Sequence, residues 1–390
     1  MTARLLAITS RRIRQTPFSE RVEAAGVKVY SVYNHMLLPV LFESLEADCA
    51  HLKRHVQIWD VACERQVEVR GRDAARLIQM LTPRDLSRLA IGQCYYTPMV
   101  DDAAGMLNDP VTLKLDDQRF WISIADSDLL LWVKGLAFGL GLDVEVDEPD
   151  VSPLAVQGPK ADDLMARVFG ERVRSIGFFR FERLEFAGRP LVVARSGYSK
   201  QGGFEIYLEG QDIGPRLWDD LMAAGADLEV RAGGPNGIER IEGGLLSYGS
   251  DMTRENNPYE CGLGRLCKPE VVTDCIGREA LLRIAATGPA RQIRGLWIAG
   301  EPLPFCLEPW PVAAGGEIVG QVNSAVWSPD LASNIAIGMV LRSHWEPGTQ
   351  VVIETDHGAR DATIGTLPFS QEAGPGSARA QRGVARQGAA

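Results

Sequence analysis

The hydrophobic periodicity of this chain changes near residue 286, and that change limits the fold more than any other feature of the sequence. Beyond it, short alternating runs follow one another between turns: "RQIRGLWIA", "GEIVGQVNSAVWS", "NIAIGMVLR", "TQVVIET" and "ATIGTLPF". Successive short strands with regular turns predict a small all-β domain closed as a barrel. Before it, strand and helix patterns are mixed. Residues 41–56 have helical spacing, with Leu45, Cys49, Leu52 and Val56 on one face. "IWDVACERQVEVRG" alternates like a strand from Val61. "RDAARLIQML" predicts a helix with Leu77, Ile78 and Leu81 inward, and residues 92–128 read as consecutive strands. "DSDLLLWVKGLAFGLG" predicts a helix with an Asp N-cap. "LAVQGPKADDLMARVFG" reads as strand, turn and helix, "DIGPRLWDDLMAAGA" as a helix, and "IERIEGGLLSYGSDM" as a helix broken by its glycines. No regular βαβ repeat emerges, so the expected class is α+β. The cluster "DEPDVSP" marks a boundary near residue 150, and the segment from Ser370 onward has no core-forming pattern and predicts a disordered tail.

A chain of 390 residues has room for two or three domains. Its net charge of −10 argues against a nucleic-acid surface. Seven cysteines, an odd number without a C-x-x-C pair, suit reduced thiols in a cytoplasm. No run of about 18 apolar residues is present, so no membrane span is expected. The N-terminal "MTARLLAITSRRIRQTPF" is basic, but its apolar stretch is too short for a signal peptide.

The familiar catalytic signatures are missing. There is no Walker A sequence and no G-x-S-x-G, and "GLGRLC" has Cys267 where a dinucleotide loop needs a third glycine. His51 and His55 in "HLKRH" share a helical face, which reads as a solvated face rather than a metal pair; no metal site is expected. Chemistry must therefore rest on binding and orientation. Three polar constellations remain. In "GMLNDPVTL", Asn108 and Asp109 sit where a strand resumes; ordinary turn chemistry is the competing reading. In "RSGYSKQGGFEIYLEG", Glu205 and Tyr207 share one side of a strand, with a wet sheet face as the plain alternative. In "NGIERIEGGLLSYGSDMTRENNPYECGLG", Glu239, Arg240 and Glu242 lie on a helix running into glycines, with Tyr248 and Asp251 beyond.

Taken in order, these constellations resemble the folate-dependent aminomethyltransferases, the glycine cleavage T-protein family. The likeness is carried by "WDVACERQVEVRGRDAARLIQMLTPRDL", "GMLNDPVTL", "LAVQGPKA", "SGYSKQGGFEIYL", "IERIEGGLLSYGSDMTRENNPYECGLG", "GREAL", "VGQVNSAVWSPDL" and the final "LPF". It covers about residues 30–369. Within that family the chain looks most like the dimethylsulfoniopropionate demethylases, through "SRRIRQTPF", "VYNHMLLPVLFESLEADCAHLKRHVQIWDVACERQVEV", "LNDP", "WISIADSD" and "GYSKQGGFEI". Three departures fall around the one-carbon donor. The family's Ser-His-Met is Ala62-Cys63-Glu64, its paired aspartates are Asn108-Asp109, and an asparagine is replaced by Ile124. They speak against glycine cleavage and leave the folate elements in place.

The resemblance implies three domains in a ring. Two interleaved folate-binding domains would span 1–60 plus 148–232 and 61–147 plus 233–285; the barrel would span 286–369, with a tail at 370–390. It implies methyl transfer from the sulfonium of dimethylsulfoniopropionate to N5 of tetrahydrofolate. The partners are then two small molecules, with no nucleic acid and no membrane, and a homodimer is an open option. Residue by residue, Glu205 should accept bonds from the pterin donor edge, with Tyr207 lining the same cavity. Arg240 would meet the folate's anionic portion. Asp109 matches the catalytic aspartate, here orienting folate or favouring the cationic donor with little need to move a proton. Tyr96, Ser123 and Gln157 are further pocket candidates. Tyr33, His35, Phe178 and Phe179 could enclose the sulfonium by cation–π contacts, with core packing as the competing reading for the two phenylalanines. Related readings are a folate-dependent demethylase for another methyl donor and a folate-binding protein without turnover.

Overall fold

The computed structural model describes residues 12–370. The basic stretch 1–11 and the expected disordered tail beyond residue 370 lie outside the described residues. The chain forms two compact units. One is built from the chain up to Gln66 with Glu148–Gly197 and Gln201–Pro235; the other from Val67–Asp147, Tyr198–Lys200 and the chain from Asn236 onward.

The first unit is organised by a six-stranded sheet, ordered Phe181–Phe186, Arg189–Ala194, Gly203–Glu209, Val151–Gln157, Val56–Asp60, Val230–Gly233. All neighbours are antiparallel except the last pair, which is parallel. Period-2 alternation sends Phe204, Ile206 and Leu208 to one face with Leu154, Val156, Ile58 and Val193. The helices Ala161–Phe169 and Gly214–Ala224 close that face with Leu164, Met165, Leu217, Trp218 and Leu221. Each fully buried side chain of this size contributes about 1.5–3 kcal/mol.

The structure departs from the sequence reading between residues 41 and 65. The helix is only Leu45–Leu52, started by Ser44, whose side chain accepts from the Ala47 amide. The strand begins at Val56, not Val61, and a turn separates it from Gln66–Arg70. Every residue of Val56–Asp60 is buried. A strand covered on both faces does not alternate between apolar and polar, so its period is hidden.

In the second unit a five-stranded sheet runs Glu145–Asp147, Gln66–Arg70, Arg119–Ser123, Val111–Asp116, Gln93–Tyr96. The helix Ala74–Leu81 turns Leu77, Ile78 and Leu81 inward, as its spacing predicts, beside Leu129–Gly139. The latter begins at Asp128, but no side chain caps it. From Arg291 the chain forms the expected barrel, closed by six strands around Leu296, Val312, Val322, Ala336 and Ile353. Among the described residues no helix is long and apolar enough to cross a membrane.

Two adjacent glycines enter the strand Gly203–Glu209 on different terms. Gly202 has φ +77° with open space where a methyl group would stand, whereas a Cβ at Gly203 (φ +149°) would lie 2.1 Å from the Val156 carbonyl oxygen. Gly202→Ala should therefore cost only the left-handed backbone penalty of about 1–2 kcal/mol. Gly203→Ala should cost clearly more, because strand pairing itself must open. Urea midpoints of the two variants check this; equal losses would show that close approach is not what requires glycine.

Candidate functional site

The face of the first unit's sheet opposite its apolar core carries Glu205 and Tyr207. It is not the wet face that the plain reading expects: Tyr207 is 0% and Glu205 6% exposed. The Ser196 hydroxyl donates to Glu205 Oε2 at 2.5 Å, and the Tyr207 hydroxyl donates to the same oxygen at 3.2 Å. Among the described residues nothing engages Oε1. Burial raises the carboxyl pKa and the two bonds oppose that rise. Glu209, on the same strand, turns to Arg183 at the surface, 2.8 Å away.

Gln157 joins this group from below. Its side-chain amide donates to the carbonyls of Ser196 (3.1 Å) and Phe204 (3.3 Å), holding the incoming loop against the strand. A Cβ at Gly197 would fall 2.1 Å from that amide nitrogen, so the loop passes Gln157 only as glycine. Phe178 and Phe179 lie on the turn whose Phe179 amide donates to the Arg195 carbonyl, next to Ser196. Core packing does not describe them: Phe178 is 77% exposed and its ring centroid lies 4.7 Å from that of Phe179. Phe179 has φ +57°, a strained value for an aromatic residue. Tyr33 flanks a two-residue hairpin turn in which Asn34 and His35 have φ +48° and +61°. Tyr33 packs against the buried cluster that includes Met36 and Trp59, and His35 is exposed.

His51 does not lie on the expected solvated face, whereas His55 keeps part of its surface. His51 is 5% exposed, bonded through Nε2 to the Glu229 carbonyl at 2.8 Å, and burial lowers its pKa to about 4. The sequence could not show that the strand Val230–Gly233 docks beside this helix. Among the described residues no group of three His, Cys, Asp or Glu side chains is arranged to hold a metal.

In the second unit Asp109, Tyr96 and Ser123 come together. The Tyr96 hydroxyl donates to Asp109 Oδ2 at 2.8 Å. Tyr96 pairs with Val111, which pairs with Ser123, so these positions lie in line across the sheet, with Val111 two residues beyond Asp109. The Asp109 carboxyl is desolvated although the residue keeps some surface; burial, with a smaller contribution from Asp251, raises its pKa to about 7 against the Tyr96 bond. Asn108 plays another part. Its amide donates to the Ala125 carbonyl and the Ser127 hydroxyl, and its carbonyl accepts from the Ala125 amide, so it latches a loop. Ile124 sits in the apolar core.

Arg240 is engaged within its own unit. Its guanidinium donates to Asp251 Oδ2 at 2.8 Å and to the Ser324 hydroxyl at 2.7 Å, and that hydroxyl donates to Asp251 Oδ1 at 2.6 Å. Asp251 is 0% exposed and also accepts from the Ser247 amide. The pair thus ties the helix Gly237–Gly243 to the barrel strand Glu317–Ser328 with its charge balanced inside the fold. Sequence reasoning missed Ser196 and Ser324, whose types carry no signal without a partner. Removing the partner should be costly: Asp251→Ala leaves a buried guanidinium uncompensated and should lose roughly 3–5 kcal/mol. Denaturant unfolding of that variant measures it, and a loss below about 1 kcal/mol, the range of an exposed pair, would return Arg240 to the surface class.

Comparison with known proteins gives the family. The family model of the GCVT N-terminal domain matches residues 18–270, and that of the glycine cleavage T-protein C-terminal barrel domain matches residues 291–371. The dimethylsulfoniopropionate demethylase DmdA of Ruegeria pomeroyi is 64% identical over 91% of this chain and 97% of that protein. An aminomethyltransferase of Symbiobacterium thermophilum is 30% identical over 92% of this chain and 97% of its own. The crystal structure of glycine cleavage system aminomethyltransferase T from Bartonella henselae superposes with a TM-score of 0.83 at 24% identity, covering 93% of this chain and 99% of that one, and so shares the fold. With both domain models matched in order along a chain that also carries the Glu205 and Asp109 motifs, this protein belongs to the glycine cleavage T-protein family.

Proposed function

We propose that this chain moves a methyl group from the sulfonium of dimethylsulfoniopropionate to N5 of tetrahydrofolate, leaving 3-methylmercaptopropionate and 5-methyltetrahydrofolate. The observation that carries the reading is the 64% identity, over 91% of the chain, to a protein of that demethylase name. The seven free cysteines support a cytoplasmic place for it.

The chemistry needs little from the protein beyond alignment. A sulfonium leaves as a neutral thioether, so no acid has to protonate it. Tetrahydrofolate supplies the nucleophilic nitrogen, which forms the new C–N bond as the C–S bond breaks and then sheds its proton. Glu205, a nearly buried residue, offers Oε1 to the donor edge of the pterin; a charged acceptor makes a stronger bond than an amide. Holding both reactants in register is worth up to roughly 7–11 kcal/mol. Phe178 and Phe179 present ring faces that suit a cationic donor, and Tyr33 and His35 remain candidates for the same task. Tyr96 and Ser123 frame Asp109.

A midpoint near 7 gives Asp109 two uses. Ionised, it attracts the sulfonium; it can also take the proton released from the alkylated nitrogen. The sequence-based expectation, that little proton movement is needed, is widened accordingly. Purified protein given tetrahydrofolate and dimethylsulfoniopropionate should form 5-methyltetrahydrofolate, and no product at millimolar donor would end the proposal. Asp109→Asn should lower that turnover by about 100-fold or more. Its stability should change with pH in a definite sense. Folding favours protonated Asp109, so the group's contribution is fully present below its ordinary 3.8 and lost as pH rises through about 7. Asparagine does not titrate. The melting temperature of Asp109→Asn minus that of the parent should thus grow from pH 5 to pH 8.5; a difference that shrinks would mean the carboxyl is not desolvated.

A further inference from the structure

We infer that Ser196 is a positioning residue for the folate carboxylate: with Tyr207 it ties Oε2 of Glu205 and so presents Oε1 to the pterin. The inference rests on the reading that Glu205 receives the pterin. Ser196 is 4% exposed and its hydroxyl donates to Oε2 at 2.5 Å. The Tyr207 hydroxyl reaches the same oxygen at 3.2 Å. Two donors on one oxygen stop the carboxylate from turning and leave the other oxygen to accept. The ordering of that side chain is then complete before a ligand arrives, which lowers the cost of binding.

Ser196 is itself held. The Gln157 amide grips its carbonyl at 3.1 Å and bonds the Phe204 carbonyl at 3.3 Å, so the backbone that carries the hydroxyl is pinned to the strand that carries the carboxylate. Among the described residues no cation shares the work. The residues paired with Glu205 on the neighbouring strands are Ala155 and Ala194. Arg195 turns its guanidinium away, to Asp162 at 3.0 Å and over the Phe204 ring. The titratable group that touches Glu205 is Tyr207. Hydroxyl donors are therefore what favours the ionised carboxylate against burial.

This assigns Ser196 an effect that a merely structural residue lacks: its loss should move the pH at which folate binding is lost. Tetrahydrofolate Kd would be measured by calorimetry from pH 6 to 9 on the whole protein and on Ser196→Ala, Ser196→Thr, Tyr207→Phe, Glu205→Ala and Glu209→Ala. Ser196→Ala should weaken binding about tenfold near pH 7, the equivalent of one charge-assisted bond. The loss should grow as pH falls, because without that donor the carboxyl ionises at higher pH. Ser196→Thr, which keeps the hydroxyl, should bind within about threefold of the parent, and Tyr207→Phe should shift the profile in the same direction as Ser196→Ala. Glu209→Ala should match the parent. A pH-independent loss in Ser196→Ala, or none at all while Glu205→Ala loses binding, overturns the positioning role. Parent-like binding by Glu205→Ala overturns instead the reading beneath it. If Ser196→Ala does not fold, Tyr207→Phe decides alone, and an unshifted profile there overturns the inference.

Discussion

A sheet covered on both faces must satisfy its own polar atoms, because no water reaches them. That constraint governs the first unit. One face of its six-stranded sheet is apolar and closes against helices. The other is buried yet carries Gln57, Trp59, Gln157, Glu205 and Tyr207. Most of these find partners inside the fold. The Trp59 indole donates to Gln57 at 2.9 Å, Gln57 donates to the Asp48 carbonyl at 2.9 Å, and Gln157 bonds two backbone carbonyls. Glu205 differs: its bonds from Ser196 and Tyr207 both go to Oε2, and the residue keeps 6% of its surface. In a face where internal satisfaction is the rule, an acceptor left open is where a ligand with donors has most to gain.

The second unit shows the same physics with two outcomes. Arg240 and Asp251 are buried together, and Ser324 bridges them, so the charges cancel and the pair serves as a tie between helix and barrel. Asp109 is desolvated, and the Tyr96 hydroxyl and a backbone amide only partly offset that, so burial raises its midpoint to about 7. The difference lies in the neighbours and not in the residue type. A closed pair stabilises structure; an uncompensated carboxyl remains responsive to a cationic substrate or a released proton. Methyl transfer from a sulfonium suits such a site, since it asks for orientation and charge and for no covalent intermediate.

How much could be read in advance depended on whether a signal was local. Leu77, Ile78 and Leu81 repeat at helical spacing, and the structure buries all three. The run after residue 286 alternates, and it closes as a barrel. Phe204, Ile206 and Leu208 alternate with Glu205 and Tyr207, which correctly separates the two faces. Val56–Asp60 hid its period because both faces are covered. His51 appeared free because the residues that bury it are some 180 positions away in the chain, at Glu229. Phe178 and Phe179 appeared ready for a core and instead stand on an exposed turn.

The sequence by itself determined most of the elements, the barrel, the family and two carboxylates in named motifs, since each of these is written in spacing or in contiguous residues. Only the tertiary structure decided what the polar residues do. Whether a buried charge is cancelled, as in Arg240, or left open, as in Glu205 and Asp109, depends on groups brought beside it by folding. The energy of a charge in a low-dielectric interior is set by those groups within a few ångströms, and sequence distance does not encode them.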